Sequence, residues 1–265
     1  AREYRNSRLS QQIREQILNG TVVISTTGTA IAQVNGLSIM EVGESLFGCP
    51  SRITASVHPG NNGVVDIERE VELGQSVHSK GVLLLGGYLC GRYAKEFPLA
   101  ISAHIAMEQS YGYIDGDSAS LAELCALISA LVNIPLRQDI ALTGSVNQCG
   151  EVQAVGGVNE KIEGFFDICA ARGLTGTQGV AIPATNQPNL MLAKRVVEAV
   201  KAGSFSIYIT TSVDETLELL TGRTMGSENA QGIFSGNTVN LQIVKRLKQF
   251  SNIMKPYNNT NNNGT

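Results

Sequence analysis

Apolar residues recur at Leu9, Ile13 and Ile17 within residues 4–19, YRNSRLSQQIREQILN. This i, i+4, i+8 spacing predicts an amphipathic helix closed by Gly20. The pattern changes between residues 21 and 88. TVVIS, AIAQVNGLSIM, RITASVH, GVVDIEREVEL and GVLLLGGYL are short apolar or alternating runs punctuated by Gly and Asn. They predict a β-rich N-terminal half, with PGNNG at residues 59–63 as its clearest hairpin signal. LAISAHIAME, residues 99–108, alternates apolar and polar positions as a half-buried strand does.

From residue 118 onward helices and strands alternate. SASLAELCALISALVNI predicts a helix stopped by Pro135, RQDIALTGSV a strand, and GEVQAVGG a short strand ending in glycines. VNEKIEGFFDICAARG predicts a helix closed by Gly173, GVAIP a buried strand, LMLAKRVVEAVKAG a helix and FSIYITT a strand. SVDETLELLTG predicts a helix with Ser212 as N-cap. The whole is a mixed α+β to α/β pattern with short connections. Residues 1–20 are expected to be a helical connector from a region upstream, and the methionine-free start at Ala1 is read as that of a longer protein's piece. Residues 21–224 form the main domain. Residues 225–265 form an appendage, with a helix over 240–254 that places Ile243, Leu247, Phe250 and Met254 on one face. The final NNTNNNGT is a disordered Asn-rich tail on composition.

With 265 residues, 43% of them hydrophobic, the chain can bury one large core. Its formal net charge is −3 and no basic stripe stands out, which argues against a nucleic-acid partner. The longest apolar run, GVLLLGGYLC, is about half the ~20 residues a membrane span needs. The charged, polar N-terminus is not a signal peptide. Five scattered cysteines (Cys49, Cys90, Cys125, Cys149 and Cys169), with no CxxC pair, suit reduced thiols in a cytoplasmic protein. Three histidines argue against a metal site, and none is expected. No GxxxxGK[ST] loop is present, so ATP is not a cofactor of this chain.

The candidate chemistry sits in EQSYGYIDGDSASLAELCA, residues 108–126. An acidic, glycine-containing turn runs into Ser118, and an apolar helix follows at once. Free backbone N–H groups at a helix start can stabilise a developing oxyanion. Ser118 or Ser120 can equally be an ordinary N-cap. A serine nucleophile needs a base. His58, His78 and His104 are the possible imidazoles, of which His104 lies on the polar phase of a strand. A lysine whose charge is disfavoured by burial is the other option. Lys161 fits, because Val158 and Phe165 at i−3 and i+4 put it on the apolar face of its helix, where lysine is uncommon. A lysine that snorkels to water is the bland alternative. Lys80 and Lys95 compete from less apolar settings.

Taken together, EQSYGYIDGDSAS, ALTGSV, GEVQAVGGVNEKIEG and GVAIP resemble, in order and spacing, the proteolytic domain of Lon proteases. GCPSRITASV and VDIEREVELGQSVHSKGVLLL extend the resemblance to about residues 22–222. The GDSAS form is similar to the B-type, archaeal-like branch and its bacterial homologues. The separation of Ser118 and Lys161, 43 residues, agrees with that family.

The resemblance implies a Ser-Lys dyad of Ser118 and Lys161. It implies that the Thr143 hydroxyl orients the lysine, and that Asp115 contacts it and holds the site at rest, with Asp117 in the same turn. Glu108 and Tyr111 would lie near the substrate groove. It further implies a ribosomal-protein S5 domain 2-like fold, a hexameric ring of identical chains, unfolded proteins or peptides as substrates, and an ATPase module upstream that alone would use ATP and Mg. A Ser-Lys amidase acting on small amides and a non-catalytic assembly or peptide-binding domain are the alternatives.

Overall fold

The computed structural model describes residues 2–42, 45–110 and 112–261. In chain order the helices are α1 (Arg2–Leu18), α2 (Ile67–Glu70), α3 (Ser76–Tyr93), α4 (Ser120–Val132), α5 (Val158–Arg172), α6 (Lys194–Lys201), α7 (Val213–Thr221) and α8 (Val239–Asn261). The strands are β1 (Thr29–Ala30), β2 (Gln33–Val42), β3 (Ser45–Pro59), β4 (Gly63–Asp66), β5 (Ile101–Glu108), β6 (Leu136–Arg137), β7 (Ile140–Leu142), β8 (Ser145–Val146), β9 (Val152–Gln153), β10 (Gly179–Pro183) and β11 (Ser206–Thr210).

Seven strands form a mixed sheet in the order β11-β10-β7-β2-β3-β5-β4. β11, β10, β7 and β2 run parallel, β3 is antiparallel to both β2 and β5, and β4 is parallel to β5. Both faces are covered, which explains the near-continuous apolar runs of β7 and β10. Ile140 and Leu142 of β7 join one core with α3, α4, α7 and α8. Ala141 between them joins a second core with α1, α5 and α6. Successive residues of a strand point to opposite faces, so this one tripeptide touches both helical layers.

The elements expected from residue 99 onward appear as α4, α5, α6, α7, β5, β7, β10 and β11. Ser212 caps α7 by accepting from the Glu215 N–H. Residues 21–88 differ from the expectation of a β-rich half. GVLLLGGYL, expected as a strand, lies inside α3. Its buried positions His78, Val82, Leu85, Leu89 and Tyr93 recur at helical spacing over a run longer than a single strand. An apolar run of this length does not reveal its own period until its flanks are counted. TVVIS is not a strand, and DIERE contributes the short helix α2. PGNNG does turn the chain, but not into a hairpin. β5 inserts between β3 and β4, and its Ala103 and Ile105 are buried in the larger core.

α8 extends beyond the expected 240–254, its backbone remaining helical through Asn261, so part of the Asn-rich segment is helical; residues 262–265 lie outside the described residues. Val239, Ile243, Leu247 and Phe250 of α8 are buried in the larger core, so this segment is integral to the packing. All five cysteines are free thiols, with Cys90 and Cys149 exposed. Among the described residues no helix is long and apolar enough to cross a membrane.

The placement of α5 depends on two glycines. A methyl group at Gly48 of β3 would overlap the Glu160 carbonyl and stand 2.6 Å from the Lys161 Cα. One at Gly164 would overlap the Gly48 carbonyl. Helix and strand therefore cross backbone to backbone, which only glycine permits. Gly48→Ala is expected to push α5 off the sheet. The destabilisation should be about 1–3 kcal/mol, the range of overpacked cores, read as a lower midpoint in denaturant unfolding.

Candidate active site

Ser118 lies in the turn just before α4 and is only partly exposed. It does not cap the helix. Ala119 occupies the cap position without a side-chain bond, and the Asp117 carbonyl accepts from both the N–H and the Oγ of Ser120. Ser120 Oγ in turn accepts from the Val146 N–H at 3.1 Å. The serine expected as a possible cap thus serves a structural bond, while the Ser118 hydroxyl is left for chemistry. The Ser118 carbonyl is held inward by the Gly144 N–H at 2.9 Å and the Thr143 hydroxyl at 3.3 Å. The N–H groups of Ser118 and Ala119 donate to no acceptor among the described residues.

Lys161 is the fourth residue of α5 and lies on the same stripe as Val158, Ile162 and Phe165. It is 2% exposed. Gly157, with φ 62°, starts the helix in a left-handed conformation, and a side chain there would overlap Ile39. The Lys161 Nζ lies 2.8 Å from Ser118 Oγ and 3.1 Å from Thr143 Oγ1. Thr143, fully buried, follows β7 directly, so its hydroxyl stands at the carboxyl end of a central parallel strand. Its proton goes to the Ser118 carbonyl, which leaves its oxygen to accept from the lysine.

Burial lowers the Lys161 pKa to about 8, against a smaller opposing effect of the Asp117 carboxylate. Desolvation wins because the site holds no carboxylate bonded directly to the amine among the described residues. Asp117 is instead engaged by the Ser145 hydroxyl, 2.7 Å from its Oδ2. Ser145 had no signal of its own in the sequence beyond its place in ALTGSV.

The acidic residue acting on the lysine is therefore Asp117. Asp115 is exposed and turns its Oδ1 to the Gly116 N–H at 2.8 Å. Gly116 takes φ 84°, and this reversal separates the environments of the two aspartates. Glu108 closes β5 and bonds to β3, accepting from Thr54 Oγ1 at 2.8 Å with Arg52 at 3.7 Å. Tyr111 lies outside the described residues. None of the three histidines bonds to Ser118 among the described residues. His58 stacks on His104 with ring centroids 5.8 Å apart, and His78 is buried against Asp66 and Glu123. Lys80 is exposed and Lys95 pairs with Glu228 at 3.0 Å.

Known proteins resemble this chain over much of its length. Residues 93–222 match the family described as the Lon protease (S16) C-terminal proteolytic domain. The chain is 47% identical over 221 residues to a Lon protease homolog of Escherichia coli (strain K12), covering 83% of this chain and 38% of that protein. It is 45% identical over 242 residues to one from Haemophilus influenzae, covering 91% of this chain and 40% of that protein. An archaeal Lon protease of Thermococcus kodakarensis is 32% identical over 212 residues, covering 74% of this chain and 28% of that protein. The chain thus spans about two-fifths or less of the length of these relatives.

A buried amine next to a hydroxyl is an arrangement in which function opposes stability. Lys161→Met keeps the apolar stem and removes the amine. The variant is expected to unfold at a higher temperature than the parent by a few degrees, as measured by calorimetry.

Proposed function

Residues 93–222 belong to the Lon protease (S16) proteolytic-domain family, and from that membership we propose that the chain is a serine endopeptidase that cuts unfolded polypeptides through a dyad of Ser118 and Lys161. The observation that carries this reading is the buried Lys161 amine 2.8 Å from the Ser118 hydroxyl, with its pKa lowered to about 8. As the free base, Lys161 donates one N–H to Thr143 and turns its lone pair to the serine proton. Ser118 Oγ attacks the peptide carbonyl carbon while its proton passes to Lys161. The Ser118 and Ala119 N–H groups at the start of α4 are placed to receive the oxyanion. The lysine ammonium then gives its proton to the leaving amine, and water releases the acyl group by the same exchange in reverse.

The same reading assigns the finer fold class as ribosomal-protein S5 domain 2-like, with the mixed seven-stranded sheet in support. It places the chain in a cytoplasmic homo-hexamer, with ATP and Mg used only by an ATPase module outside this chain. The short coverage of each relative supports such a further region. Severed from it, the chain takes peptides and loose chains rather than folded proteins.

The test is turnover of a fluorogenic peptide and of unfolded casein without ATP. Cleavage by the parent, abolished in Ser118→Ala and in Lys161→Ala, is the expected result; undiminished cleavage in either variant would exclude the dyad. Below the lysine pKa only the unprotonated fraction is competent. The rate should therefore rise about tenfold per pH unit and level off above a midpoint near 8. Asp117 raises the lysine pKa, so Asp117→Asn should move this midpoint to lower pH, with the asparagine oxygen still accepting from Ser145. A midpoint that stays or rises would show that Asp117 does not act on the base.

A further inference from the structure

A second group of buried polar side chains lies where α2, α3 and α4 meet. Asp66 caps α2, its Oδ1 accepting from the Glu68 N–H at 3.1 Å. Glu68 Oε1 accepts from the Met107 N–H at 2.7 Å. On α3, His78 Nε2 lies 3.4 Å from Asp66 Oδ2, and its Nδ1 lies 3.8 Å from Glu123 Oε1 of α4. His78 and Glu123 are each 1% exposed, Asp66 and Glu68 each 5%. One donor atom from each of Asp66, Glu68 and His78 lies within 4.8 Å of the other two.

Close hydrogen bonds leave two atoms of this arrangement unmatched. A charged imidazole–carboxylate bond closes to about 2.7–2.9 Å. Here the two approaches stop at 3.4 and 3.8 Å. Asp66 Oδ2 and His78 Nε2 have no hydrogen-bond partner among the described residues, although both are buried. The 3.4 Å between Asp66 Oδ2 and His78 Nε2 is the spacing of two donors on one metal ion. With metal–ligand bonds of about 2.0–2.1 Å, tetrahedral geometry puts neighbouring donors about 3.3–3.4 Å apart. The charges agree. Three carboxylates around one imidazole leave buried negative charge that needs a cation or protons.

We propose that Asp66, Glu68 and His78 bind one divalent transition-metal ion, with Glu123 behind the imidazole as the carboxylate that orients it. The Glu123 carboxylate faces Nδ1 at 3.8 Å, and its charge favours the tautomer that keeps the proton there and leaves the Nε2 lone pair for the metal. Mixed nitrogen and carboxylate donors suit zinc(II), cobalt(II) or manganese(II). The histidine count that argued against a metal in the sequence is no obstacle, since carboxylates from a neighbouring element complete the set. The ion is structural. It ties α2 to α3 on either side of residues 71–75. There the Gln75 N–H donates to the Ile114 carbonyl, and the Ile114 N–H to the Leu73 carbonyl, each at 2.9 Å. One turn beyond His78, a methyl group at Gly81 would stand 3.2 Å from the Asp117 Cβ. The ion thus supports the segment that presents Ser118 without touching the reacting atoms, and the inference stands whether or not the chain cuts peptides.

The test is titration of the chelator-stripped chain with cobalt(II), followed by visible absorption. One saturating equivalent, with d–d bands and no thiolate charge-transfer band, is the expected result. Asp66→Asn and His78→Ala should each weaken uptake at least about a hundredfold, and Glu123→Gln about 10–100-fold. Asp66→Asn and Glu123→Gln keep side-chain shape, and circular dichroism checks their folding. Absence of saturable uptake by the parent would overturn the proposal. So would uptake unchanged in Asp66→Asn and His78→Ala, or a thiolate band placing the ion on Cys90 or Cys149.

Discussion

An amine kept out of water beside a hydroxyl is the constraint on which the rest of the site depends. Water would hold Lys161 as an ammonium ion, with no lone pair to offer. Burial at 2% exposure weakens that preference and brings its pKa down to about 8. Each neighbour then has a definable share in the balance. Thr143 accepts from the amine without adding charge, and its own proton is committed to the Ser118 carbonyl. Asp117 works in the opposite direction, but Ser145 holds its carboxylate. Desolvation outweighs it, so the lysine remains usable as a base near neutral pH.

The fold supplies this environment by bringing two helical layers to the end of one strand. Ser118 belongs to the α4 layer and Lys161 to the α5 layer, with the sheet between their two cores. Thr143 marks the carboxyl end of β7, where the two meet. The carboxyl ends of parallel strands are where open α/β sheets bind ligands. The dyad distance is therefore also a measure of how closely each layer packs on the sheet. The backbone crossing at Gly48 and Gly164 sets that closeness for α5, and the bonds from Gly144 and Thr143 to Ser118 set it for the nucleophile turn.

α4 links the dyad to the second polar cluster. The turn that leads into it carries Asp117 and Ser118, and its own first turn carries Glu123 against His78. Carboxylates in a protein interior need partners, and both Asp117 and Glu123 find theirs on elements distant in sequence. The nucleophile turn is thereby braced from two directions, by Ser145 after β7 and by the α3 backbone at Gly81.

Much of this was legible in the chain. Helices α4, α5 and α7 could be read because each combines an apolar stripe with a stop signal, Pro135, Gly173 and Gly222 respectively. Lys161 stood out because a lysine on the apolar stripe of α5 breaks a local rule, and such breaks are where function is found. Ser118 was marked by the acidic glycine turn and the helix beginning after it. Other features needed the tertiary structure. GVLLLGGYL is apolar enough for either a strand or a helix, and only packing of Leu85, Tyr88, Leu89 and Tyr93 into the larger core selects the helix. PGNNG reverses the chain, but the partner of β4 is β5, some forty residues on, because pairing partners are chosen by burial rather than proximity. Asp115 and Asp117 are equivalent in composition, and on either side of the left-handed Gly116 one stays exposed while the other is bonded by Ser145. The sequence by itself determined which residues had the chemistry and which segments had a period. Only the tertiary structure decided which of them share a volume without water, since desolvation and charge pairing act through distances that chain order does not contain.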